Sequence, residues 1–417
     1  MSAELISILA LVAIFVLATT LSVNMGALAF AGAFLVGTLA GGLDADGIFA
    51  GFPGDIFVVL VGVTYLFAIA RANGTTDWLV AAAVRLVGGR IALIPWVMFV
   101  VTGALTAIGA VSPAACAIVA PIALGFAAQY GISPLLMGAM VVHGAQGGGF
   151  SPISVYGSIV NGIVDNNGIA GSPVVLFLAS LGMNTAIAAV LYVVLGGAKL
   201  GRAEPAEDAE KLPHEQRIPL DAPKIATLVG LAGLVVSTLV FDLDAGLTAI
   251  TVAVILSVFW PSSSRKAVDE ITWATVLLIC GMLTYVGVLQ EIGTIDYAGD
   301  AVSQVGVPLV AALLLCYIGG VVSAFASSVG LMGALIPLAV PFLAQGTIGP
   351  IGMVAALAVA STMVDVSPFS TNGALVLANA KNVDRDRFFR QLMVYGGIVV
   401  AAAPLVSWLV FVVPNWG

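Results

Sequence analysis

Two short segments concentrate hydroxyl, amide and carboxylate groups in the middle of apolar runs. They are Gly147-Gly148-Gly149-Phe150-Ser151-Pro152-Ile153-Ser154 and Asp365-Val366-Ser367-Pro368-Phe369-Ser370-Thr371-Asn372. The runs that hold them, 134–163 and 350–380, are too long for one plain membrane span. Proline removes a backbone donor and clashes one turn back, and glycines weaken a helix further. Both runs are therefore expected to be broken helices, with a plain structural kink as the alternative. Unwound backbone within a bilayer is tolerated only inside protein or along a water-filled cavity. The half-helix N-termini at such breaks present unsatisfied N–H groups and positive dipole ends, which hold anions. The opposing C-terminal ends and loose carbonyls hold Na⁺.

This chemistry names candidates. For an anionic solute they are Ser112, Ser151, Pro152, Ser154, Ser328, Ser367, Pro368, Ser370, Thr371 and Asn372. For Na⁺ they are Ser112, Gly149, Ser151, Ser328, Asp365 and Ser367. Asp365 and His143 are the proton-coupling candidates, since an ionisable group within a membrane is costly. The plainer readings are a carboxylate that caps the broken helix end, for Asp365, and a satisfied core histidine, for His143. No cofactor is expected. A His143–serine dyad of an intramembrane enzyme lacks a GxSxG elbow, and no GxxxxGK[ST] loop is present for ATP-driven pumping. A passive channel is a further rival.

The elements that position these residues follow from composition. The chain has 417 residues, 60% hydrophobic and 9% charged, with 14 Lys+Arg against 22 Asp+Glu and a formal charge of −8. Its mean hydropathy is +1.13. A soluble protein is about 25% charged, so most of this surface faces lipid. Continuous apolar runs exclude a β-barrel, and so few basic residues exclude nucleic acid. Cys116, Cys280 and Cys316 lie in apolar runs without a CxxC, which argues against disulfides and zinc. The N-terminus has no Lys or Arg before its apolar run, so it reads as a retained first helix rather than a signal peptide.

Seven apolar runs precede a polar stretch at 199–224 and seven follow it. A shift of 216 aligns the two sets without a gap: between Ala110 and Gly157, 15 of 48 positions are identical. Ser112 meets Ser328, Pro121 meets Pro337, Ser151-Pro152 meets Ser367-Pro368, and Ser154 meets Ser370. Upstream, Gly74-Thr75-Thr76-Asp77 resembles Gly293-Thr294-Ile295-Asp296. Each unit has an odd number of crossings, so the copies are expected to be inverted. Runs 92–110 and 112–128, like 307–326 and 328–345, are joined by only two or three residues. They are read as re-entrant hairpins, with tight turns between full spans as the alternative. Short amphipathic helices near 75–88 and 294–306 are expected at the two interfaces.

Charge gives an independent orientation. With the N-terminus outside, all fourteen Lys and Arg fall in inside segments: Arg71, Arg85, Arg90, Lys199, Arg202, Lys211, Arg217, Lys224, Arg265, Lys266, Lys381, Arg385, Arg387 and Arg390. The outside loops carry only acids, as the positive-inside rule requires. Lys381 and the arginines after it read as an interfacial stop.

This order of parts resembles the ion transporter superfamily. Within it the chain is similar to the divalent anion:sodium symporters and, more closely, to malonate/dicarboxylate carriers of the MatC type. The resemblance rests on Gly149-Phe150-Ser151-Pro152-Ile153-Ser154 and Val366-Ser367-Pro368-Phe369-Ser370-Thr371-Asn372. It implies an all-α polytopic membrane protein of two inverted repeats, each of five transmembrane helices plus a re-entrant hairpin, with helices broken at mid-membrane. It also implies a homodimer with a fixed scaffold, a moving transport part, and dicarboxylate carriage by an elevator motion, usually with Na⁺. The symporters' Ser-Asn-Thr hairpin signature is absent. Ser112-Pro113-Ala114 and Ser327-Ser328-Val329 stand there instead, so neither sodium stoichiometry nor the exact anion carries over.

The resulting division is 1–72, scaffold of repeat 1; 73–196, its arm, hairpin and transport part; 197–223, cytoplasmic linker; 224–290, scaffold of repeat 2; and 291–417, its arm, hairpin and transport part. The expected function is secondary active transport of C3 or C4 dicarboxylates such as malonate, malate or succinate, coupled to Na⁺ or H⁺. A cation/proton antiporter on the same scaffold is the alternative. The expected setting is a bacterial-type inner membrane, multi-pass, with both termini outside. A reporter fused to the C-terminus is expected to read as extracytoplasmic; a cytoplasmic signal would overturn the topology.

Overall fold

The structure, a computed structural model, describes residues 2–21, 23–86, 90–202, 218–295, 297, 308–324, 328–343, 346, 348–380 and 384–415. Much of the expected linker and of the second interfacial helix (294–306), together with Ser327, Lys211, Arg217 and Lys381, lies outside the described residues. Among those described there are helices and no strand. The helices of the first half are α1 (Ala3–Thr20), α2 (Met25–Leu39), α3 (Ala45–Phe49), α4 (Gly54–Ala72), α5 (Thr75–Leu86), α6 (Ile94–Ala107), α7 (Ser112–Tyr130), α8 (Pro134–Gly148), α9 (Val155–Asn166) and α10 (Pro173–Val194). The second half holds α11 (Ala222–Phe241), α12 (Ala245–Phe259), α13 (Pro261–Ser264), α14 (Trp273–Glu291), α15 (Pro308–Ser323), α16 (Ser328–Leu343), α17 (Pro350–Met363), α18 (Thr371–Ala378) and α19 (Arg385–Ser407). Among the described residues, seven spans are long and apolar enough to cross a membrane, one of them running from Pro350 to Ala378 across the second break.

Local chemistry sets the helix starts. Asn24 accepts from the N–H groups of Gly26 and Ala27 and starts α2; Asp244 accepts from Leu247 and starts α12. Asp384 accepts from the N–H of Arg387 and starts α19. Arg387 and Arg390, in the first two turns of α19, are exposed.

The internal duplication is visible in the element starts. Ser112 and Ser328, Pro134 and Pro350, and Val155 and Thr371 each begin a helix, and each pair is 216 residues apart. Packing is reciprocal. Helix α2 lies on α14 while α4 lies on α12, and α7 lies on α18 while α16 lies on α9. Two glycine crossings make the first of these exchanges close. A Cβ on Gly26 would sit 1.9 Å from the Leu277 carbonyl oxygen, and one on Gly281 would sit 2.1 Å from that of Gly26. In the mirrored crossing, a Cβ on Gly62 would sit 2.4 Å from the Gly246 carbonyl oxygen. Small residues that let backbones approach are how helices associate in lipid.

Gly26→Ala and Gly246→Ala are therefore each expected to destabilise the protein by about 1–3 kcal/mol. Gly233→Ala, where a Cβ would meet nothing within 4 Å, is expected to be neutral or slightly stabilising. Thermal unfolding in detergent separates the two classes; an unchanged midpoint for Gly26→Ala would contradict the crossing.

Candidate functional site

Both expected breaks are present, and they share one construction. In the first, α8 ends at Gly148 and α9 begins at Val155. Ser154 is the N-cap of α9: its hydroxyl donates to the carbonyls of Gly149 (2.5 Å) and Ser151 (2.6 Å) and accepts from the N–H of Gly157 (3.1 Å). In the second, α17 ends at Met363, a tight turn covers Val364–Val366, and α18 begins at Thr371. Ser370 donates to the carbonyls of Asp365 (2.5 Å) and Ser367 (2.7 Å) and accepts from Gly373 (3.3 Å). A Cβ on Gly157 or Gly373 would sit 1.9 or 2.0 Å from the Ser151 or Ser367 carbonyl oxygen, so only glycine fits either turn. Ser154 and Ser370 are thus committed to shaping the backbone. The Gly149 carbonyl, a Na⁺ candidate, is engaged by Ser154 and also by the N–H of Gly157.

The hairpin tips converge on the second break. Ser112, the first residue of α7, accepts a hydrogen bond from the Asn372 amide at 2.8 Å. Ser328, the first residue of α16, donates to Asp365 Oδ1 at 2.7 Å and itself accepts from Ser323 at 2.8 Å. The other carboxylate oxygen of Asp365 accepts from the Gln146 amide, on α8 of the first half, at 2.7 Å. Asp365 therefore does not cap the helix end; its side chain joins the two halves. It is buried, and no Lys or Arg among the described residues pairs with it. Two acceptors in this region, Gln146 Oε1 and Asn372 Oδ1, are buried without a partner.

His143 is fully satisfied. Its Nδ1 lies 2.7 Å from Asn184 Oδ1 and its Nε2 lies 2.5 Å from the Tyr395 hydroxyl. Asn184 uses its amide N–H to reach Ser180, which leaves Oδ1 to accept from Nδ1–H. Nδ1 therefore carries a proton, and Nε2 shares a hydrogen bond with the Tyr395 hydroxyl. This is the geometry of a core histidine.

The structure brings Ser112, Ser328, Asp365 and Asn372 together and buries Ser151, Ser367 and Pro368 beside them in the two breaks. Pro152 is half-buried, and Thr371 is exposed. Gln146 was not singled out by sequence. Its one signal was an amide three residues after His143, in a helix otherwise made of small and apolar residues.

With the geometry in hand, comparison with known proteins is informative. Residues 1–149 match the family described as dicarboxylate carrier protein MatC N-terminus. The resemblance to that family holds over those residues. No curated protein matches the sequence. The fold is similar to the crystal structure of the Alcanivorax borkumensis YdaH transporter, described as having an unusual topology, with a TM-score of 0.59 at 18% identity over 88% of this chain and 89% of that one. Over residues 1–149 the match is thus to a carrier family, and the solved structure of similar fold is that of a transporter.

Ser370→Ala removes the cap of α18 and is expected to cost about 1–2 kcal/mol. Thr371→Ala, at the exposed neighbour, is expected to stay within about 0.5 kcal/mol of the parent. Thermal unfolding of the two variants checks this; equal effects would contradict the assigned cap.

Proposed function

We propose that the protein is a secondary active transporter of small organic anions, namely C3 or C4 dicarboxylates such as malonate, malate and succinate, coupled to Na⁺ or H⁺. The observation that carries this is the Asp365 carboxylate, buried at a helix break with no Lys or Arg among the described residues pairing with it. A lone buried charge in a bilayer is strongly unfavourable, so a mobile cation is its natural partner. The donor set suits a hard cation: Asp365, the unpartnered oxygens of Gln146 and Asn372, and the hydroxyls of Ser112 and Ser328. The carboxylates of the anion belong at the half-helix N-termini of α9 and α18, by way of backbone N–H groups and dipole ends. The family description over residues 1–149 supports the choice of dicarboxylates.

The two halves are inverted copies in this reading. Residues 1–72 and 224–290 form a fixed scaffold, while 73–196 and 291–417 move as an elevator, with 197–223 as the linker and a homodimer as the assembly. The glycine crossings of α2 on α14 and of α4 on α12 support the scaffold, because close backbone packing resists sliding. Both termini lie outside a bacterial-type inner membrane.

The same carboxylate supports a second reading, a cation/proton antiporter with Asp365 as the exchanging group. Uptake of labelled succinate and malonate into proteoliposomes, with and without a Na⁺ or pH gradient, separates the two. Transport predicts accumulation that follows one of the gradients, and loss of that dependence in Asp365→Asn. Unchanged cation-driven uptake in Asp365→Asn would remove the coupling role; cation exchange without dicarboxylate flux would favour the antiporter.

A further inference from the structure

No Lys or Arg among the described residues pairs with Asp365, but a guanidinium stands in a cleft nearby. A cleft opens beside the first hairpin tip. Its walls include Arg71 at the end of α4, Thr76 on α5, Val111 and Ala114 at the tip, and Glu270 and Thr272 ahead of α14. The space between these walls, its open side included, is about 440 Å³, enough for one end of a small dicarboxylate. Val111 and Ala114 flank Ser112, whose hydroxyl meets Asn372 of the second break. The cleft therefore ends one wall short of the proposed transport site.

Its polar groups are arranged for a carboxylate. Arg71 Nη2 contacts Glu270 Oε2 at 2.5 Å. A guanidinium carries five donors, and this contact uses one of them. Thr76 is 2% exposed, yet its hydroxyl has no hydrogen-bond partner, and the Thr272 hydroxyl is also buried and unpartnered. Two orphaned hydroxyls beside a guanidinium are donors awaiting an acceptor. The Arg71 and Glu270 side chains are 48% and 39% exposed, and such ion pairs are weak. Exchanging Glu270 for a ligand carboxylate, which takes two donors in parallel, is therefore easy.

We propose that this cleft is an outer carboxylate site, where one end of a small dicarboxylate docks on Arg71, Thr76 and Thr272 before or after it occupies the breaks, with Glu270 as its built-in competitor. The proposal rests on the transport reading above. It assigns a binding step to the Arg71 face, read from charge as cytoplasmic.

The test is sided kinetics of succinate flux in proteoliposomes of defined orientation. Arg71→Gln is expected to raise KM at the Arg71 face about tenfold, as for loss of one charge-assisted hydrogen bond, with kcat unchanged. Glu270→Gln is expected to lower that KM, and Arg71→Lys to restore most of it. KM at the other face is expected to stay the same in all three. Thermal unfolding reports whether Arg71→Gln is folded, and the opposite shift in Glu270→Gln stands independently of it. A wild-type protein that carries no dicarboxylate overturns the transport reading and this site together. Wild-type flux with KM unaltered in Arg71→Gln and Glu270→Gln overturns the site alone. So does a fall in flux at both faces in both variants, which would mark the ion pair as a latch.

Discussion

One carboxylate, held between two halves of the chain, organises the centre of this molecule. Asp365 receives Ser328 on one oxygen and Gln146 on the other. Ser328 begins the second hairpin's return helix, and Gln146 belongs to the first half's α8. The first hairpin arrives through Ser112 and Asn372. Two elements far apart in sequence, α8 and α16, thus meet at a single negative charge in an environment where charge is costly. In the proposed transport reading a cation or a proton offsets that charge, which would tie the break geometry to ion coupling. The helix dipoles on their own favour an anion at the same place. A carrier that loads an anion and a cation together satisfies both demands.

The two breaks are alike in backbone and different in chemistry. Ser154 and Ser370 make the same three hydrogen bonds, and Gly157 and Gly373 leave the same space for a carbonyl. At the aligned positions, however, Asp365 stands opposite Gly149, Asn372 opposite Tyr156, and Thr362 opposite Gln146. The two copies share the residues that unwind the helix and differ at the polar positions around them. The frame is thus symmetric and its centre is not: the second break carries the carboxylate, and the first carries two aromatic rings, Phe150 and Tyr156, whose centroids lie 5.7 Å apart.

Much of this was legible in the sequence, for physical reasons. Apolar run length gave the spans, and Pro with Gly at the centre of a long run gave the breaks, because both act locally on the backbone. The repeat was readable since Pro121 with Pro337 and Ser151-Pro152 with Ser367-Pro368 sit at one constant offset. The roles of Ser154 and Ser370 were harder to see. A serine three residues before a glycine can face a ligand or cap a helix, and only the close approach at Gly157 and Gly373 distinguishes them. Gln146 escaped notice because its partner is 219 residues away, a distance that no local pattern spans. The same holds for His143, whose quiet role depends on Asn184 and Tyr395 from two other helices.

The central claim is that Asp365 is neutralised by a cation that travels with the solute. Infrared difference spectroscopy of the reconstituted protein, on adding succinate in Na⁺, in choline, and across a range of pH, addresses it directly. The account predicts a buried carboxyl signal that changes with succinate only when the coupling cation is supplied, and that disappears in Asp365→Asn. A succinate-induced spectrum that is identical in wild type and Asp365→Asn would contradict it.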